Sequence, residues 1–213
     1  MTDRLIEQLV NDLQPKKTLV DLKLWMHCTA CLVMVSVAVL MFMGLRGDYL
    51  SAMQNGALFW KPGIFLMTWI GSLLLITDIS RPNGWLRKKH TIPLIAAVTL
   101  LIWQFIVQSR QLFLTDMTHS LSDGSALYCL SVIMGGGAIA MMMAWKYWFS
   151  KTASRYPVLL GALAGLSAGS LAAAAYALHC DHDVALYVSV YYGAPVLALS
   201  ILGGFLGKRL LRW

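Results

Sequence analysis

The side chains best suited to redox or metal chemistry in this chain are its four cysteines and the histidines near them, and the cysteines fall in two places. Cys129 stands in an apolar run, and Cys180 stands in the sequence His179-Cys180-Asp181-His182-Asp183. Thiolates with imidazoles suit soft or borderline cations such as Cu(I) and Zn. Two thiols in an oxidising compartment can instead form a disulfide. His119, in the polar stretch before Cys129, is a further candidate ligand. A redox pair, a metal site, a structural disulfide and two unrelated buried cysteines all agree with this spacing. The second place is His27-Cys28-Thr29-Ala30-Cys31. Cys28 and Cys31 lie one helical turn apart on one face, so they can share a metal or serve as small packing residues.

A third functional candidate is the N-terminal segment. Leu5, Ile6, Leu9, Val10 and Leu13 recur at helical spacing, and Pro15 ends the pattern, so a short amphipathic helix is expected. Its polar residues include Asp3, Glu7 and Asp12 against the single Arg4. Helices that lie on a membrane usually carry a Lys- and Arg-rich polar face. An apolar stripe with acidic flanks suits a protein groove, read through i, i+3 and i+4 anchors.

The elements that must position these groups are set by the solvent. Over 213 residues, 58% are hydrophobic and 13% charged, and mean hydropathy is +0.65. A soluble domain carries about 25% charged residues. Six apolar runs approach the roughly 20 residues needed to cross a bilayer core of about 30 Å. They are placed at residues 24–45, 58–77, 92–107, 126–148, 158–178 and 184–206, the third being the shortest. No cleavable leader is read before the first of them. The expected fold is therefore all-α: a bundle of six transmembrane helices (residues 24–213) after an N-terminal segment (residues 1–23). Of 17 Lys and Arg, all but Arg46, Lys61 and Arg110 fall beside the termini or in the second and fourth loops. By the positive-inside rule both termini are cytoplasmic, which puts Cys129 and Cys180 on the oxidising side of a bacterial inner membrane and Cys28 and Cys31 at the cytoplasmic side. The net charge of +7 is explained by these flanks, without direct nucleic-acid binding.

Within the spans, Gly161, Gly165 and Gly169 repeat every four residues, and Gly203 and Gly207 echo them. Small residues on one face let helix backbones approach closely, either inside one chain or across a homodimer. Pro195 should kink the sixth span. The spans hold almost no ionisable side chains, which argues against an ion-coupled pump.

The C-terminal third carries a recognisable pattern. Tyr176-Ala177-Leu178-His179-Cys180 precedes Ala185-Leu186-Tyr187-Val188, then Tyr191-Tyr192-Gly193. Leu202-Gly203 and Gly207-Lys208-Arg209-Leu210-Leu211-Arg212-Trp213 close the chain. With Asp12-Leu13-Gln14-Pro15, Phe59-Trp60-Lys61 and Arg81-Pro82, the chain resembles the negative regulator of sigma-F family of six-span inner-membrane anti-sigma factors. The resemblance implies a non-enzymatic regulator of transcription. It would hold an extracytoplasmic-function (ECF) sigma factor and release it under metal or oxidative stress. It implies Cys129 and Cys180 as sensor residues, with no cofactor required and Cu or Zn as candidate signals. It implies the N-terminal segment, through Leu5, Ile6, Leu9, Asp12, Leu13 and Pro15, as the sigma-binding element. One departure stands out: Asp181-His182-Asp183 follows the cysteine where Pro-Glu-Asp is expected. Cys28 and Cys31 lie outside the pattern.

Two other functions are weighed against this one. A thiol oxidoreductase would need its C-x-x-C on the oxidising side. A metal transporter would need ligands through the membrane, for which Met34, Met41, Met43 and Met141, Met142 and Met143 are the available thioethers.

Overall fold

The structure, a computed structural model, describes residues 19–54, 56–80, 84–108, 125–149, 152 and 154–210. The N-terminal candidates Leu5, Ile6, Leu9, Asp12, Leu13 and Pro15, and His119, lie outside the described residues. Helices account for the regular structure: α1 (Leu19–Met43), α2 (Tyr49–Gln54), α3 (Ala57–Ile79), α4 (Ile92–Gln108), α5 (Ser125–Tyr147), α6 (Pro157–Tyr176) and α7 (Ala185–Leu210). A 3-10 turn at Lys88–Thr91 leads into α4. No strand occurs among the described residues.

Among the described residues, six stretches are long and apolar enough to cross a membrane: Leu24–Met43, Leu58–Ile79, Lys88–Val107, Ala126–Tyr147, Pro157–Tyr176 and Ala185–Leu210. They follow the apolar runs closely because a backbone in lipid must satisfy its own hydrogen bonds, and a helix does so within the segment. The third reaches further toward the N-terminus than the apolar run suggests, because the 3-10 turn continues it through Lys88 and Lys89.

Burial sorts the helices into centre and periphery. In α6, 78% of the span's apolar window is buried, against 6% for α1 and 6% for α4. Accordingly α6 touches α1, α3, α5 and α7. Its small residues make this possible. A Cβ on Gly161 would run into the Gly203 carbonyl, and one on Gly165 into the Leu199 carbonyl. One on Gly207 would strike the Pro157 carbonyl. The glycine repeats of α6 and α7 therefore face each other within one chain. Ser200 Oγ adds a bond to the Ala162 carbonyl at 3.0 Å.

Pro195, which is buried, leaves its mark one turn earlier. At Val188–Tyr192 the helix widens to a π turn, and the Gly193 N–H reaches back to the Val188 carbonyl. A wide turn before a proline relieves its clash with the preceding turn.

Two cores fill the bundle. One gathers Leu24, Trp69, Leu73, Ile76, Phe149, Leu160 and Leu163. It lies at the end where α3 meets the segment before α6, tied by Ser154 Oγ to the Ile79 carbonyl at 2.6 Å. There Asp78 also accepts from His90 Nδ1 at 2.7 Å and from the Arg87 N–H at 3.2 Å. The other core gathers Phe65, Cys129, Ile133, Tyr176, Cys180, Tyr187 and Tyr192 at the opposite end.

Candidate functional site

The second core brings together two cysteines that are far apart in sequence. Cys129 projects from the first turn of α5, and Cys180 from the short connection between α6 and α7. Their sulfurs are 3.8 Å apart. Both residues are buried and both are free thiols. Cys129 Sγ also lies 3.1 Å from the Tyr187 hydroxyl on α7. Cys180 Sγ lies 4.0 Å from His182 Nδ1, and the His182 ring stacks on Tyr187 at 4.6 Å. Tyr187 in turn packs on Tyr191 at 4.7 Å. The aromatic residues of α6 and α7 thus pack around the thiols.

The connection carrying Cys180 is held by charge. Arg46, just past α1, has a fully covered side chain and grips two carboxylates. Its Nε and Nη2 donate to Asp48 at 2.7 and 2.8 Å. Its Nη2 and Nη1 donate to Asp183 at 2.6 and 3.2 Å. Such fork-to-carboxylate pairs fix orientation as well as energy. The bond to Asp48 comes first in holding Arg46 above the usual guanidinium range, with Asp183 adding to it. The same bond holds Asp48 below the usual carboxylate range.

From α3, Lys61 Nζ donates to the carbonyls of Cys180 at 3.0 Å and His182 at 2.7 Å, and it pairs with Asp183 at 3.4 Å. Lys61 is fully buried in a helix long and apolar enough to cross a membrane. The expectation of nearly charge-free spans is therefore corrected at this position. A buried cation persists only where it is paired, and here the turned-in loop supplies the acceptors.

These groups act on the thiol. The Cys180 sulfhydryl is held below the ordinary thiol range, first by its bond from Cys129, then by His182 and the Lys61 charge, while burial opposes the shift. His182 is held above the ordinary imidazole range, first by its bond to the Cys180 sulfur, against burial. Both shifts favour the charged form of the group, and a thiolate is the form that attacks oxidants and binds metals.

A pocket of about 400 Å³ opens onto the pair, lined by Met43, Arg46, Tyr128, Cys129, Tyr176, His179, Cys180 and His182 among others. Among the described residues, Cys180, Asp181 and His182 form a cluster whose ligating atoms lie within 4.8 Å of one another. His179 stands on the pocket wall, with its Nδ1 donating to the Gly44 carbonyl at 3.0 Å beyond the end of α1.

The other thiol pair has different surroundings. Cys28 and Cys31 are half-buried and pack against the opposite core, with Trp25, Leu32 and Val35 as neighbours along α1. No cluster of three ligating side chains forms around them among the described residues. The methionines considered as thioether ligands do not converge. Met34, Met41, Met142 and Met143 are exposed on the outside of the bundle, whereas Met141 is buried and Met43 packs on the thiol core.

Sequence reasoning singled out the cysteines and histidines but not Arg46, Asp48, Lys61 or Asp183 as parts of the site. The available signal was Lys61 itself, a cation four residues into an apolar helix that begins at Ala57.

With that geometry in place, the family can be set beside it. The family described as Negative regulator of sigma F matches residues 9–213. The chain belongs to this family. It is 29% identical over 163 residues to "Anti-sigma-F factor NrsF" of Caulobacter vibrioides, covering 74% of each chain. It is 30% identical over 165 residues to "Probable anti-sigma-F factor NrsF" of Azospira oryzae, covering 73% of each. No solved structure matches. Part of the pattern that carried the resemblance falls at this site. Tyr176, Cys180, Tyr187 and Tyr192 surround the thiols, and Phe59-Trp60-Lys61 supplies the buried cation.

Proposed function

We propose that this chain is a bacterial inner-membrane anti-sigma factor. It holds an extracytoplasmic-function sigma factor through its N-terminal segment and releases it when Cys129 and Cys180 are joined. The family match supports the anti-sigma role, and the 3.8 Å approach of the two sulfurs is the observation that carries the sensing role. A disulfide has a sulfur–sulfur bond of about 2.05 Å, so oxidation draws the two sulfurs together by about 1.8 Å.

That movement is transmitted because the Cys180 loop is bolted to other helices. Asp183 links it to Arg46 at the end of α1, and Lys61 links it to α3. Pulling the loop toward α5 shifts it relative to α1, whose other end leads into the N-terminal segment. Thiol site and sigma-binding segment are about 30 Å apart across the bilayer, so the signal acts by shifting helix equilibria. A tenfold loss of sigma affinity requires about 1.4 kcal/mol of coupling, within the ordinary allosteric range.

A second reading of the signal is a thiophilic cation such as Cu or Zn. The 3.8 Å sulfur separation matches the edge of a tetrahedral site with metal–sulfur bonds of about 2.3 Å. His182 and Asp181 stand beside it as further donors. Titrating the purified protein with Zn or with diamide, and following sigma factor retention, separates the two. Retention by a variant with Leu9→Asp and Leu13→Asp should be lost under every condition. Retention equal to the unmodified chain would contradict the N-terminal segment's role.

A further inference from the structure

We propose that Lys61 is a positioning residue of the thiol pair: from α3, it holds the peptide plane after Cys180 and so, with α6 holding the plane before it, aims the Cys180 sulfur at Cys129. The inference rests on the sensing reading only for its biological use.

An ammonium has three donors, and all three find partners at once: the Cys180 carbonyl at 3.0 Å, the His182 carbonyl at 2.7 Å and the Asp183 carboxylate at 3.4 Å. The Tyr192 ring lies 5.0 Å from the same nitrogen and adds a cation–π contact. On its other side, the Cys180 N–H donates to the Tyr176 carbonyl at 3.2 Å. The peptide before Cys180 is thus fixed by α6 and the peptide after it by Lys61. With both planes held, the direction of the Cys180 side chain is set. The four-residue stretch that follows, 181–184, is neither helix nor strand, so nothing in regular secondary structure would do this instead.

The chemistry explains why a costly buried cation would be kept there. In oxidation by diamide, the two thiols give up two electrons and two protons. The reagent's N=N bond is reduced to the hydrazine, and a sulfur–sulfur bond forms. The step needs the sulfurs in line, and a misplacement of about 1 Å can cost on the order of a hundredfold in rate. Lys61 touches neither sulfur in this scheme; beside its charge, which favours the Cys180 thiolate, it acts through the backbone of the residue that carries one.

The test is the rate at which diamide forms the Cys129–Cys180 bond in the full chain purified in detergent, read by mass spectrometry of the linked peptides. Lys61→Met keeps the length and apolar stem but removes all three donors. Its bond formation should be slower by about tenfold or more, with alkylation of Cys28 and Cys31 in the same molecules unchanged. A general loosening would raise that alkylation as well. If it does, Asp183→Asn is read instead; it removes one charged acceptor, and bond formation should slow by about threefold. An unchanged rate in Lys61→Met with an intact bundle, or in Asp183→Asn if Lys61→Met loosens it, overturns the proposal. No sigma factor takes part in this measurement. If Cys129→Ser releases sigma factor normally under stress, the sensing reading fails while the positioning role of Lys61 stands.

Discussion

The two cysteine pairs of this chain differ in a way opposite to their spacing. Cys28 and Cys31 have a spacing often associated with metals and redox, yet they sit on one face of α1 among Trp25, Leu32 and the Leu24–Trp69 core. Cys129 and Cys180 are 51 residues apart, yet their sulfurs are 3.8 Å apart, beside an imidazole and under a buried ammonium. Reactivity follows from surroundings that stabilise a thiolate, not from proximity in sequence. The comparison also shows how the helix bundle assigns roles. The periphery contributes a pair that packs, and the junction of five helices contributes a pair with chemistry.

The sharpest way to test that contrast is pH. A thiol of ordinary pKa loses nearly a hundredfold of its thiolate between pH 8 and pH 6. Cys180, held below that range by Cys129, His182 and Lys61, should keep its alkylation rate within about threefold over the same interval. A small free thiol in the same tube provides the reference. The signs are consistent with linkage. A depressed thiol stabilises the fold above its unfolded pKa and loses that stabilisation as pH falls through the folded value. The raised His182 contributes below its unfolded pKa and loses its contribution as pH rises through the folded one.

The next effect concerns the scaffold. Gly165→Val would force a side chain against the Leu199 carbonyl, costing about 1–3 kcal/mol or more in unfolding titrations. It should disturb the Cys180 connection, which leaves from the end of α6, before it disturbs Cys28 on α1. Equal loss of protection at both pairs would contradict the assignment of α6 and α7 as the site's support.

A functional substitution comes third. Cys129→Ser should raise the oxidant needed for sigma release by about tenfold, equivalent to about 1.4 kcal/mol of coupling. The smallest effect is expected at the other pair. Cys28→Ser with Cys31→Ser should leave the release midpoint within about twofold, as for changes away from functional features. A shift as large as that of Cys129→Ser would dissolve the distinction between the pairs.

Much of the architecture was legible in the sequence because lipid imposes one strong rule: an apolar run of sufficient length becomes a helix. The glycine repeats were legible as close-packing faces, and the structure shows where they go: Gly161 against Gly203, and Gly165 against Leu199. Cys129 and Cys180 were legible as candidates. The clamp around them was not, for a physical reason. Arg46 and Asp183 are 137 positions apart, and Lys61 reaches a loop 119 positions away. Such pairing is created by helices returning to the same end of the bundle, and no local pattern encodes it. Lys61 lay inside the apolar run at residues 58–77 but counted only as one of three cations away from the Lys- and Arg-rich side, because no local pattern showed what it would pair with. The helix begins at Ala57 and draws the charge inside.

The most direct test of the account is capture of sigma factor by the detergent-solubilised full chain, with and without diamide, in parallel with the Cys129→Ser variant. The account expects capture by both reduced proteins, loss of at least about nine-tenths of it on oxidation of the unmodified chain, and retention by the variant. Capture that survives formation of the Cys129–Cys180 bond, or that is lost equally in the variant, would contradict it.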